Sequence, residues 1–201
     1  MGEQYFVRRP SSRQRRGEIR VVLRGQAFTF RTDAGVFSRG ELDRGTELLI
    51  EAIDLGPCEF VLDLGCGYGP IGIVAARLTE GGRVVLADVN ERAVALARAN
   101  LEPNGIANAE VRLGDLYDPV AGDAFDHIVC NPPIRAGRGI VNRIVAEAPT
   151  HLLEGGNLWL VARTKQGADT LRRHMAATFG AAAVVKRGSG YKVLRSRKGG
   201  A

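Results

Sequence analysis

Cysteine is scarce in this 201-residue chain: Cys58, Cys66 and Cys130 are the three, and no two form a CxxC pair. That excludes a disulfide framework and a thiolate zinc site, and His127, His151 and His174 supply no metal-ligand spacing either. No run approaches the roughly 18 apolar residues that a membrane span needs. The first residues are polar where a secretory signal would be apolar, and Phe6 stands where a myristoylation motif requires Ser or Thr. No internal repeat is visible. A reduced, cytoplasmic protein without a metal is expected. Cys66 falls in a glycine loop and Cys130 ends an apolar run, so both are expected to fill small buried sites rather than act as nucleophiles.

What the chain does have is glycine, 26 residues of it, and net positive charge, +6. The stretch Phe60-Val61-Leu62-Asp63-Leu64-Gly65-Cys66-Gly67-Tyr68-Gly69-Pro70-Ile71-Gly72 reads as strand, tight loop and helix, with proline at a first-turn position where its missing N–H matters little. Gly65, Gly67 and Gly69 permit unusual backbone angles and let the main chain approach a ligand. Such a loop holds a nucleotide-like cofactor. Gly67-x-Gly69-x-x-Gly72 also satisfies the dinucleotide fingerprint, and Asp88, 21 residues after Gly67, stands where a ribose-binding acid belongs. The spacing therefore admits NAD. Asp63, a carboxylate at the loop, would repel a pyrophosphate and attract a cationic cofactor bearing an amino acid, such as S-adenosyl-L-methionine.

Around this loop the chain alternates. Glu18–Arg24 and Gln26–Arg31 flank Gly25 as a β-hairpin, and apolar residues at helical spacing predict a helix over Asp43–Leu55. After the loop come helix Ile71–Leu78, strand Arg83–Ala87, helix Arg92–Leu101, strands Glu110–Leu113 and Asp126–Cys130, helix Ile140–Leu153, strand Leu158–Ala162 and helix Ala168–Phe179. Ala182–Lys186 and Tyr191–Leu194, joined through Gly188-Ser189-Gly190, read as a closing hairpin. The expectation is an α/β fold, a doubly wound, mostly parallel, seven-stranded Rossmann-like sheet with a terminal antiparallel hairpin and an N-terminal β-hairpin extension. Residues 1–17 would be a basic, partly flexible segment, 18–42 the hairpin and loop, and 43–201 the cofactor-binding domain. Asp63, Asp88, Asp115 and Asn131 each follow an apolar run, so successive strands deliver polar groups to one edge.

Asn131-Pro132-Pro133 carries the chemistry. Neither proline donates an N–H, and the first forces Asn131 into an extended conformation, leaving a rigid pair of acceptors. An exocyclic amine would donate one proton to the Asn131 side-chain oxygen and one to the Pro132 carbonyl. These bonds orient the nitrogen and draw its lone pair out of conjugation, so positioning supplies the catalysis and no base need act before attack.

Asp63-x-Gly65-x-Gly67-x-Gly69 resembles the first motif of class I methyltransferases. Asn131-Pro132-Pro133 is similar to the motif of those that act on amino nitrogens of adenine, guanine or a glutamine side chain. Tyr5-Phe6, Arg24-Gly25, Phe28-Thr29-Phe30, Gly35-Val36-Phe37-Ser38 and Leu42-Asp43-x-Gly45-Thr46 resemble the lead-in of the "methyltransferase small domain" family of ribosomal RNA guanine-N2 methyltransferases. The resemblance covers residues 4–195. It implies an S-adenosyl-L-methionine-dependent enzyme in which Asp63, Gly65, Cys66, Gly67 and Gly69 hold the methionine end. Asp88 and Val89 would take the ribose, and Asp115 with the Leu116 backbone the adenine. Ile134, Arg135 and Phe37 would line the target side, where Asp43 and Thr46 also belong; Ile134 stands where many relatives carry a stacking aromatic residue. Phe28 and Phe30 are expected to belong to a hairpin that covers the sheet edge.

Larger members pair this domain with a degenerate second copy used for RNA binding. Here the basic termini (Arg8, Arg9, Arg13, Arg15, Arg16 and Lys186, Arg187, Lys192, Arg195, Arg197, Lys198), a homodimer or a partner protein would take its place. The expected partner is ribosomal RNA or a ribosomal particle, not a membrane. Protein glutamine methylation and an NAD(P)-linked oxidoreductase are the alternatives.

Overall fold

The structure is a computed structural model that describes Arg8, residues 16–33, Val36, residues 41–133 and residues 137–199. Tyr5, Phe6, Arg9, Arg13, Arg15, Phe37, Ile134 and Arg135 lie outside the described residues.

The elements are β1 (Arg16–Leu23), β2 (Gln26–Asp33), α1 (Arg44–Ile50), β3 (Phe60–Leu64), α2 (Pro70–Leu78), β4 (Arg83–Asp88), α3 (Glu91–Leu101), β5 (Ala109–Leu113), β6 (Phe125–Cys130), α4 (Arg138–Glu147), β7 (Leu152–Arg163), α5 (Ala168–Phe179), β8 (Ala183–Gly188) and β9 (Tyr191–Arg197). Seven strands form one sheet in the order β5-β4-β3-β6-β7-β9-β8, parallel except for β9. From β3 the chain first winds outward through β4 and β5, then returns to β6 on the other side. The winding therefore reverses between β3 and β6, and a crevice opens at their carboxyl ends.

Both sheet faces are covered, which is why the strands are near-continuous apolar runs. Val61, Val84 and Val129 face α1, α2, α3 and the N-terminal hairpin; Leu62, Val85 and Ile128 face α4 and α5. Each of these six side chains is fully buried, contributing about 1.5–3 kcal/mol apiece for the larger aliphatics. At the amino ends of the central strands the Trp159 indole N–H donates to His127 Nδ1 at 2.9 Å, so the proton on the ring sits at Nε2, facing Glu59 Oε2 at 3.0 Å. His127 is thus a structural lock.

The two-stranded sheet of β1 and β2 is fastened to α3 rather than laid over the edge of the large sheet. Asn100 and Asn104, one turn apart on α3 and the helical turn after it, grip alternate residues of β2. Asn100 accepts from the Arg31 N–H (2.8 Å) and donates to the Arg31 carbonyl (3.0 Å); Asn104 does the same with Thr29 (3.0 and 2.8 Å). A strand's two-residue period thus meets a helix's four-residue one. Phe28 and Phe30 fill the space beneath, and Phe30 packs edge-on against Tyr68 of the glycine loop with centroids 5.7 Å apart.

Several boundaries differ from the sequence reading. Arg16 and Gly17 belong to β1, and α1 ends at Ile50 because Ala52 and Ile53 tighten back onto the Leu49 carbonyl. The helix expected over Ile140–Leu153 stops at Glu147. Pro149 has no N–H to continue it, the chain passes through one 3-10 turn, and β7 starts at Leu152, six residues before the expected strand.

Candidate functional site

The crevice at the winding reversal holds an open cavity. The glycine loop after β3 forms one wall, the Asp88-Val89 end of β4 and Gly114-Asp115-Leu116 after β5 a second, and Asn131-Pro132-Pro133 after β6 a third. Val36 and Thr46 from the N-terminal part close it. Of the residues nominated from sequence, Gly65, Cys66, Gly67, Asp88, Val89, Asp115, Leu116, Asn131, Pro132 and Pro133 line this cavity. Two do not.

Gly69 packs. A Cβ there would lie 3.2 Å from both Ile73 and Leu86, at a φ of +93° that favours glycine. Asp63 is not at the mouth of the loop, as the sequence suggested, but behind it and 1% exposed. The reason is the hydrogen bond from the Gly72 N–H to its Oδ2 (2.8 Å), which draws the carboxylate under the first turn of α2; its Oδ1 has no partner among the described residues. Burial pushes this carboxyl up to about 7, against the Gly72 N–H and with the Asp88 charge adding to the rise.

Inside the loop, the amides of Gly65 and Cys66 donate to the Ala87 carbonyl, Gly67 to Asp88 Oδ2 and Gly69 to the Cys66 carbonyl. With these four donors engaged and two carboxylates beside them, the loop offers little to a pyrophosphate. A Cβ placed on Gly65 or Gly67 meets no atom within 4 Å, so side chains there would extend into the space a cofactor needs. The two glycines and the orphaned Asp63 oxygen fit a cationic, amino-acid-bearing group. Cys66 and Cys130 are buried, and burial holds both thiols well above their usual range, so they stay neutral.

Asp88 holds Gly67 through one oxygen and the Asn90 N–H through the other, each at 2.8 Å; burial raises its carboxyl above the ordinary value. At the far end, Leu116 takes a left-handed φ of 44°, and strain of this kind at a non-glycine residue gathers at ligand sites. Asp115 is half exposed and accepts from Arg143 Nη1 at 3.0 Å.

The Asn131-Pro132-Pro133 turn has the most defined geometry. Asn131 Nδ2 donates to Asp43 Oδ2 at 3.1 Å and to Thr46 Oγ1 at 2.9 Å. Asp43 caps α1, accepting from the Thr46 N–H at 3.0 Å. Since a carboxylate can only accept, the amide nitrogen must face it, which leaves the Asn131 oxygen out of both bonds; Asn131 and Pro132 both line the cavity. Sequence reasoning nominated Asp43 and Thr46 only for the target side and missed Arg143 altogether. The cap signature Asp43-x-x-Thr46 was visible, but its reach to a residue 88 positions away was not.

Residues 27–195 match the model of the methyltransferase small domain. The chain belongs to this family. Membership sets aside the oxidoreductase alternative. The chain is 38% identical over 200 residues to an uncharacterized protein, YbxB, of Bacillus subtilis (strain 168), covering 98% of this chain and all of that one. It is 36% identical over 170 residues to ribosomal RNA small subunit methyltransferase C of Pseudomonas fluorescens, covering 82% of this chain and 49% of the relative. The fold overlays with a TM-score of 0.80, at 32% identity, on the T. thermophilus 16S rRNA N2 methyltransferase RsmC in complex with AdoMet and guanosine. That match covers 93% of this chain and 51% of the other, so the chain spans about half the length of these ribosomal RNA methyltransferases. Among the described residues no helix is long and apolar enough to cross a membrane, and no group of three or more His, Cys, Asp or Glu is placed to hold a metal ion.

Proposed function

We propose that this small-domain methyltransferase transfers a methyl group from S-adenosyl-L-methionine to an exocyclic amine, the N2 of a guanine in ribosomal RNA. The observation that carries the reading is the fixed Asn131 amide, whose NH2 is held by Asp43 and Thr46 in a turn that lines the cavity; its oxygen and the Pro132 carbonyl would serve as the pair of acceptors.

Bound in the cavity, S-adenosyl-L-methionine supplies a methyl group activated on a sulfonium sulfur. The loop at Gly65–Gly67, with the Asp63 carboxyl behind it, would face its amino-acid end, Asp88 would take the ribose hydroxyls, and Asp115 with the Leu116 backbone the adenine. Asn131 Oδ1 and the Pro132 carbonyl each accept one N–H of the target amine, which lowers conjugation of its lone pair with the ring and fixes its direction. No residue need remove a proton first, because the amine becomes acidic only as it is methylated.

Guanine as target is supported by the guanosine in the RsmC complex, and ribosomal RNA by the names of the curated relatives. RNA is further supported by Arg44, Arg163 and Lys165, which are exposed at the N-terminus of α1, at the last residue of β7 and two residues beyond it, beside the strand that leads to Asn131. Single-stranded or flipped-out RNA suits a cavity that must admit a base. The basic residues near both ends, a homodimer or a partner protein would hold the rest of the RNA.

Calorimetric titration tests the cofactor: S-adenosylhomocysteine binds and NAD does not, and the reverse result would overturn the reading. Binding of a ribosomal RNA fragment is expected to weaken steeply with salt, whereas a glutamine-bearing peptide substrate would bind with little salt dependence.

A further inference from the structure

A primary amide is nearly symmetric in shape, so rotating Asn131 by half a turn would exchange its oxygen and nitrogen with no change in packing. The flipped amide would present two N–H donors to the target amine, which also donates, and the site would repel what it is built to hold. Something must choose the orientation.

We propose that Asp43, with Thr46, is the positioning residue that makes this choice and thereby restricts the site to amine targets. The inference rests on the amine-methylating reading above. Three independent features carry it. First, Asp43 Oδ2 lies 3.1 Å from Asn131 Nδ2, so the flipped amide would set two acceptor oxygens against each other, one of them charged. Second, the carboxylate is itself held by two further donors. It caps α1 through the Thr46 N–H, and its Oδ1 receives the Tyr191 hydroxyl at 3.4 Å. That hydroxyl in turn accepts from Arg163 Nε at 2.9 Å, with the guanidinium carbon 5.0 Å from the centre of the tyrosine ring. Third, the packing leaves no slack. A Cβ at Gly45 would come 2.7 Å from the Tyr191 ring and 2.9 Å from Asp43 Oδ2, so glycine is the residue that lets helix cap and ring meet. Thr46, 3% exposed, supplies the second acceptor from one turn into α1. An N-terminal helix cap thus sets the polarity of a catalytic turn that lies 88 residues further along the chain.

The test is the double substitution Asp43→Ser, Thr46→Val. Serine is as good a helix cap as aspartate but too short to reach Asn131, and valine keeps the threonine shape without its oxygen. Two readouts are taken on the full chain. In the wild type, the Asn131 side-chain amide protons, assigned by their loss in Asn131→Gln, exchange slowly with solvent; in the double variant they exchange at least tenfold faster. With RNA as substrate, kcat falls about tenfold or more while the Kd for S-adenosylhomocysteine stays within about threefold and thermal unfolding stays cooperative. Asp43→Asn, which keeps one oxygen for cap and amide, retains most of the rate. The proposal is overturned if the amide protons exchange equally fast in wild type and double variant, if kcat is unchanged in the double variant, or if Asp43→Asn falls as far as the double. Wild-type protein that methylates no RNA would remove the reading of function, yet the exchange measurement would still decide the orientation.

Discussion

Replacing Asp63 by asparagine should stabilise the ligand-free protein at high pH and weaken its cofactor site at the same time. Asp63 is 1% exposed and, among the described residues, accepts one hydrogen bond, from the Gly72 N–H. Burial raises its carboxyl from 3.8 to about 7. Because the folded value lies above the unfolded one, the native state keeps a proton that the unfolded chain has already released. The stability from this group is therefore full below about pH 4 and lost as pH rises to about 7. At 1.36 kcal/mol per pH unit the loss amounts to about 4 kcal/mol. Asp63→Asn does not ionise; it keeps an acceptor for Gly72 but leaves an amide N–H without a partner, at a cost of about 1–3 kcal/mol. The variant is thus less stable than wild type near about pH 4 and more stable, by about 1–3 kcal/mol, near about pH 8. Denaturant unfolding across this range gives two curves that cross. The ammonium group of a bound amino-acid end favours the ionised carboxylate, so S-adenosylhomocysteine should protect wild type more at about pH 8 than at about pH 6, and this difference should vanish in the variant. A variant that stays less stable by a constant margin at every pH would refute the reasoning.

Gly67→Val forces a β-branched residue to a φ of +60° and sends its side chain into open cavity space; the expected results are a loss of about 1–2 kcal/mol in stability and of at least about a hundredfold, some 2.7 kcal/mol, in affinity for S-adenosylhomocysteine by calorimetry. Asn100→Ala removes three hydrogen bonds, two to Arg31 and one to the Tyr68 carbonyl in the glycine loop. At about 1 kcal/mol each this destabilises by about 2–3 kcal/mol, and hydrogen exchange should show the β2 amides opening before the large sheet does; unchanged protection of Arg31 would count against the clasp.

Much of the fold was legible because doubly wound sheets announce themselves locally. Apolar runs end in Asp63, Asp88 and Asn131, and Pro70 and Asn90 mark helix starts where α2 and α3 begin. The cavity walls followed, since topology sends strand ends to one edge. What escaped was set by contacts between distant segments. Nothing near Asn100 or Asn104 says that they grip a strand some 70 residues earlier, and Arg143 carries no local sign of facing Asp115. Asp63 was misplaced because its charge was weighed against a ligand and not against the Gly72 N–H that draws it inward. Pro149 was readable as a helix stop; the apolar residues around it outweighed it in the periodicity.

The central claim, that the Asn131 oxygen and the Pro132 carbonyl receive a guanine amine, meets its most direct test in methyl transfer to ribosomal particles followed by nucleoside analysis of the RNA. With wild-type protein the account predicts a single new nucleoside, N2-methylguanosine, formed at least about a hundredfold more slowly by Asn131→Ala. Methyl groups recovered on a protein glutamine, or undiminished N2-methylguanosine with Asn131→Ala, would contradict it.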